Sequence, residues 1–286
     1  MIRFLILAGY FELTMYLQLS GKLNQYINLH YSYLAYISMF LSFVLALVQL
    51  IIWVKQMKIH SHLSGFWAKV ASIFLLCIPL FVGLFFPTVT LDSQTVSAKG
   101  YHFPVAAGSS KEIQQDEGTT TQYLKPDTSS YFTKSAYESE MKQAAKKYVD
   151  KKVIQVTTEN YMEVMEVIYD YPDQFAGKTI ELTGFVYNDP NNKDSQFLFR
   201  FGIIHCIADS GVYGLLTTGA PQHFENNTWI HAKGTLSIEY HKQLKQSLPV
   251  LHISDCQTIT KPANPYVYRV FWWSHQVSSV VDPNIL

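Results

Sequence analysis

The run Arg200-Phe201-Gly202-Ile203-Ile204-His205-Cys206-Ile207-Ala208-Asp209 brings an imidazole, a thiol and a carboxylate close together, just before Gly211. Imidazole with thiolate suits zinc or another borderline-soft divalent ion, and a carboxylate can complete a third position. Side chains alternate across a strand, so His205 and Cys206 point to opposite faces wherever the strand is regular. They reach one ion only if the strand ends or bulges, which Asp209 and Gly211 favour. A second apolar run adds His252, Asp255 and Cys256. The expected metal donors are therefore His205, Cys206, Asp209 and Cys256, with zinc as the candidate ion. The plainer reading stands beside it: Cys206 as a small buried residue, His205 as an exposed polar one, Asp209 as a turn former. A Cys206–Cys256 disulfide is a further alternative in an oxidising compartment.

Little else in the chain points to chemistry. It contains no G-x-S-x-G, no phosphate-binding glycine loop, no H-E-x-x-H and no zinc-ribbon spacing. No nucleophile–base set is visible, so no catalytic residue is assigned and the chain is not expected to be an enzyme. Lys and Arg total 22, as do Asp and Glu. That balance leaves no basic excess to hold nucleic acid. Phe197, Phe199 and Phe201 are accordingly expected in a core rather than stacking on bases. Cys77 lies inside an apolar run, and Met162 and Met165 fall at helical spacing; all three are expected to pack.

Among the elements that carry these residues, three apolar stretches come first: Phe4–Leu19, Leu34–Val54 and Phe66–Phe86. A membrane span needs about 20 apolar residues, which the second and third supply readily. The first, with Arg3 ahead of it, could be a signal peptide. No small-residue cleavage site follows, however, and the chain continues as Gly21-Lys22-Leu23-Asn24. A retained span is expected. Arg3, Lys55, Lys58 and Lys69 outweigh Lys22 in the first connection, so the N-terminus and second connection are assigned to the cytoplasm. Three crossings then put the chain after Pro87 outside. Glu12 is the one carboxylate at membrane depth; such groups usually face a protein partner or a wet cavity. The alternative is a group near the helix end, reaching headgroups or simply protonated.

Residues 88–151 read as a Ser/Thr/Gly-rich linker followed by an amphipathic helix over Ser135–Lys151. A short strand at Val153–Val156 and a helix from Thr158 to about Tyr171 come next, with Thr157 or Thr158 as N-cap. Beyond Gly177 the apolar period becomes two. The expected strands are Lys178–Tyr187, Gln196–Ile207, Val212–Thr218, Thr228–Tyr240 and Val250–Ile259. Five short strands, with a longer connection before the fourth, point to a small closed barrel of OB type; a five-stranded sandwich is the alternative. The fold class is thus α + β: about three N-terminal transmembrane helices (1–87), the linker and helix (88–151), an OB-like extracellular five-stranded β-barrel domain with a flanking helix (152–270), and a tail (271–286).

With these residues in view, the chain resembles the YcgQ-like family of bacterial membrane proteins. The resemblance rests on Gly21-Lys22-x-x-x-Tyr26-Ile27 and on Phe175-x-Gly177-Lys178-x-Ile180-x-Leu182-x-Gly184-Phe185-Val186. It continues through Arg200-Phe201-x-Ile203, Cys206-x-Ala208-Asp209, Trp229-Ile230-x-Ala232-x-Gly234 and Pro262-x-x-Pro265-Tyr266-Val267-Tyr268. Family members often carry a cysteine where His205 stands. The resemblance implies a partner, a multi-spanning YcgR-like permease, together with membrane lipid, no established enzymatic activity, and a link to metal, particularly zinc, homeostasis. The expected function is an accessory subunit of a membrane permease complex at the cell membrane, with a soluble domain outside that binds substrate or gates the partner. The alternative is a structural or interaction module of the cell envelope.

Overall fold

The computed structural model of the chain describes residues 1–57, 63, 65–86, 89–101, 134–190, 196–241 and 246–268. The rest of the linker and the tail from 269 lie outside the described residues. Contacts divide the chain into two units, one of Met1–Thr90 with His205–Ala208, the other of Leu91–Ile204 with the chain from Asp209 onward.

The first unit contains α1 (Ile2–Leu19), α2 (Ser32–Val54) and α3 (Phe66–Phe85), and all three are long and apolar enough to cross a membrane. Helix α1 stops where Gly21 takes a left-handed φ of 68°, a conformation glycine adopts without steric cost. α1 packs against both other helices. Toward α3, a Cβ on Gly9 would lie 3.1 Å from Leu80, and one on Gly83 only 2.8 Å from Leu13. The Tyr10 hydroxyl donates to the Leu76 carbonyl at 2.9 Å. Small residues that let helices approach are the usual device of membrane interfaces. Toward α2, Phe11 meets Phe43 with ring centroids 5.3 Å apart.

The second unit opens with α4 (Ser93–Lys99), whose N-cap Asp92 accepts from the amides of Gln94 and Thr95. α5 (Lys134–Val149) and α6 (Tyr161–Asp170) follow, with a short α7 (Pro172–Phe175). The amphipathic pattern of α5 is realised, since Met141, Ala144, Ala145 and Tyr148 are buried. α6 starts later than Thr158 because Asn160 occupies the N-cap position; its side chain accepts from the Thr157 amide at 2.7 Å, making a turn first. Met162 and Met165 pack in the core, as expected.

Seven strands form one mixed sheet: β1 (Val153–Gln155), β2 (Thr179–Asn188), β3 (Gln196–Ile203), β4 (Gly211–Thr218), β5 (Trp229–His241), β6 (Gln246–Thr258) and β7 (Val267–Tyr268). Their order is β1-β2-β5-β6-β4-β3-β7, and β2 also pairs with β3. Each of β2 to β6 therefore has a partner on both sides. β4 and β6 run parallel, while β2–β3, β2–β5, β3–β4 and β5–β6 are antiparallel. The β5–β6 register shifts at Lys233/Gly234, and a Cβ on Gly234 would fall 2.3 Å from the His252 carbonyl. That bulge needs glycine.

Two hydrophobic layers lie on the sheet. Ile180, Leu182, Leu198, Leu215, Leu236 and Leu251 face the α5–α6 side and share its core. Phe197, Phe199 and Phe201 alternate with Leu198 and are buried in another layer, bearing out their assignment as core residues. Phe197 and Phe199 stack on each other at 5.2 Å and meet Tyr187 and Tyr101. The cover over this layer is Leu91–Tyr101, the start of the expected linker. The Leu91 amide donates to the Tyr266 hydroxyl at 3.1 Å, the Ser93 amide to Asn227 at 2.8 Å, and the Tyr101 hydroxyl to Asp189 at 2.9 Å. This part of the segment is packed structure, because its few apolar residues close an aromatic surface.

Candidate functional site

The four expected donors are held by backbone pairing more than by side-chain convergence. β3 ends at Ile203, and His205–Ala208 join the first unit. Cys206 forms an isolated antiparallel bridge with Ile27. The Asn28 amide donates to the His205 carbonyl and the Ile207 amide to the Tyr26 carbonyl, both at 2.9 Å. The His205 ring stacks on Tyr31 with centroids 5.6 Å apart. Asp209 closes a single 3-10 turn, Ile207–Asp209. Cys256 lies on β6 opposite Ala232. Burial, with the Asp255 charge adding to it, pushes the Cys256 thiol pKa up, which works against thiolate ligation. Among the described residues no group of three or more His, Cys, Asp or Glu side chains converges as a metal cage would require. None of the three cysteines is in a disulfide.

Two polar networks, centred on His231 and His252, lie on strands of the sheet. Thr183 and His231 are register partners on β2 and β5. His231 is hydrogen-bonded through Nδ1 to Thr183 Oγ1 at 3.0 Å and through Nε2 to Glu181 Oε1 at 3.0 Å. His252 on β6 is hydrogen-bonded to Thr218 Oγ1 and Ser237 Oγ, each at 2.8 Å, and to Glu239 Oε1 at 2.6 Å. The order hydroxyl–imidazole–carboxylate is the one used by activated nucleophiles. Here both networks are partly or fully open to solvent. The recess lined by Tyr148, Lys151, Val153, Ile154, Gln155 and Thr157 is formed by other residues. Exposed histidine–carboxylate pairs of this kind are worth about 0–1 kcal/mol. Period-two spacing puts Glu181 and Thr183 on one face, but which histidine lies opposite depends on register.

Arg200 is buried on β3, and each of its three guanidinium nitrogens donates a hydrogen bond. Nε donates to the Pro265 carbonyl at 3.2 Å, Nη2 to those of Asn264 at 3.2 Å and Tyr266 at 3.1 Å, and Nη1 to Thr158 Oγ1 at 3.0 Å. Tyr161 and Trp229 present their rings to it at 5.6 and 5.8 Å. Burial pulls its pKa down. The group ties the approach to β7 onto β3.

Glu12 sits in the middle third of α1 and is exposed. With Gly9 and Leu13 turned to α3 and Phe11 to α2, Glu12 shares the remaining face with Leu5, Tyr16 and Leu19, which are 54%, 47% and 81% exposed. It makes no ion pair among the described residues.

Three helices long and apolar enough to span a membrane, joined to a mixed-sheet α + β unit, define a membrane-anchored protein. The chain matches the DUF1980 N-terminal domain over residues 2–102 and the DUF1980 C-terminal domain over residues 131–269. A Streptococcus mutans serotype c protein, named as a candidate subunit of a two-component membrane permease complex, is 68% identical over 271 residues, covering 95% of this chain and 100% of the relative. The UPF0703 protein YcgQ of Bacillus subtilis strain 168 is 40% identical over 291 residues, with 95% and 100% coverage. The chain belongs to this DUF1980, or YcgQ-like, family. Among solved structures, an asparaginyl-tRNA synthetase from Pyrococcus horikoshii matches at 14% identity with a TM-score of 0.20, covering 32% of this chain and 23% of the other, a likeness that carries no argument.

Proposed function

We propose that the chain is a non-catalytic accessory subunit of a membrane permease complex, anchored by α1–α3, whose β unit lies outside the cell and gates a multi-spanning YcgR-like partner. The observation that carries this is full-length similarity to a relative named for such a complex, in a chain with three candidate spans of its own. The pairing order of β2 to β6, with β4 and β6 parallel, supports an OB-like barrel as the external domain. In this reading three crossings put everything after α3 outside, on the same side as the α1–α2 connection.

Gating is preferred to substrate capture because the donors expected for zinc do not assemble as a group of three among the described residues. In this reading a metal ion, zinc first, is cargo of the complex. The test is affinity purification of the tagged full chain in mild detergent. A multi-spanning protein recovered in fixed ratio is the expected result; a chain recovered alone across several mild detergents would reject the proposal.

A further inference from the structure

We infer that the Glu12 face of α1 is the docking surface for a partner's transmembrane helix carrying a basic or hydrogen-bond-donating side chain at matching depth. The inference rests on the permease-subunit reading and adds the interface and its chemistry. Helix α1 rises about 1.5 Å per residue, so Glu12 lies about 15 Å from its start at Ile2, near the middle of a hydrocarbon core about 30 Å thick.

The fold leaves this carboxylate outward. Gly9 and Leu13 are spent on α3, and Phe11 is spent on α2. The basic residues nearest in sequence, Arg3 and Lys22, lie more than two helical turns away toward the two ends, and Lys22 donates to the Tyr16 hydroxyl at 3.0 Å. A carboxylate facing hydrocarbon is costly, and paired groups within the bundle are the common resolution. Leu5, Tyr16 and Leu19 flank Glu12 along the same stripe, a surface on which one helix can lie. α2 and α3 also expose apolar faces, but those contain no acidic residue and suit lipid equally well. Charge complementarity therefore singles out α1 and specifies a cationic or donor side chain opposite it.

The test uses the full tagged chain in its own membranes, with the co-purified multi-spanning protein quantified per chain. Glu12→Ala and Glu12→Lys should lower its recovery at least about tenfold, the scale expected when one side of a buried charged pair is removed. Glu12→Gln, which keeps a hydrogen-bonding group, should retain an intermediate amount. Membrane insertion of each variant is checked by fractionation. A photo-crosslinking residue at Leu5 or Tyr16 should capture that same protein, whereas one at Phe74 or Leu75 on α3 should not. Wild-type chain with no partner would refute the permease-subunit reading itself. Partner retained by Glu12→Ala, or crosslinks from α1 only to lipid or to a second copy of this chain, would overturn this inference while leaving that reading standing.

Discussion

Arg200 shows how a single buried charge can be structural rather than chemical. Its partners are three backbone carbonyls and a hydroxyl, so its replacement would leave buried acceptors unmet. Nothing in Phe199-Arg200-Phe201 announces this, because Pro265 is distant in sequence. Cys206 is the reverse case. The sequence makes it a candidate ligand, while the fold engages its backbone in the bridge to Ile27 and leaves no three-donor group among the described residues. Zinc titrated into the purified full chain after chelation should consequently show no tight stoichiometric binding. Stoichiometric uptake that is lost in both His205→Ala and Cys206→Ser would restore the metal site.

At the scale of elements, periodicity carried far. The three long apolar runs and five of the strands were legible because one face or the whole of each is apolar over many residues. Their ends were not. Hydrophobicity alone carries β3 to Ile207, yet it stops at Ile203. β6 begins at Gln246, since its pairing with β5 runs through Pro249, a residue that reads locally as a break. β7 is two residues long, too short for any pattern. The β5–β6 bulge falls at Lys233/Gly234, a glycine inside a strand. Because a Cβ there would fall 2.3 Å from the His252 carbonyl, Gly234→Ala should destabilise the protein by about 1–3 kcal/mol. The neighbouring exposed Thr235→Ala should stay within about 0.5 kcal/mol. Thermal unfolding of the full chain in detergent compares the two, and equal transitions would show that the bulge is not constrained as described.

For the molecule as a whole, sidedness and assembly are the quantities that matter. In the proposed topology, Lys55, Lys58 and Lys69 against Lys22 put the second connection in the cytoplasm, and three crossings carry the β unit outside. Protease added to intact spheroplasts should therefore remove residues beyond about 90, and cleavage only after lysis would reverse the orientation. The register that pairs His231 with Thr183 and the side of α1 left to Glu12 were beyond sequence reading, because both depend on which elements become neighbours. Family membership, by contrast, was carried by short motifs such as Gly21-Lys22 and Trp229-Ile230.

Assembly is decided most directly by native electrophoresis of gently solubilised membranes. The chain is followed in cells that contain the proposed multi-spanning partner and in cells from which that protein has been deleted. A discrete band well above the size of the chain in detergent is expected, collapsing to the single-chain position on deletion. A band at the single-chain position in both, or a large band unaffected by the deletion, would contradict the proposed assembly.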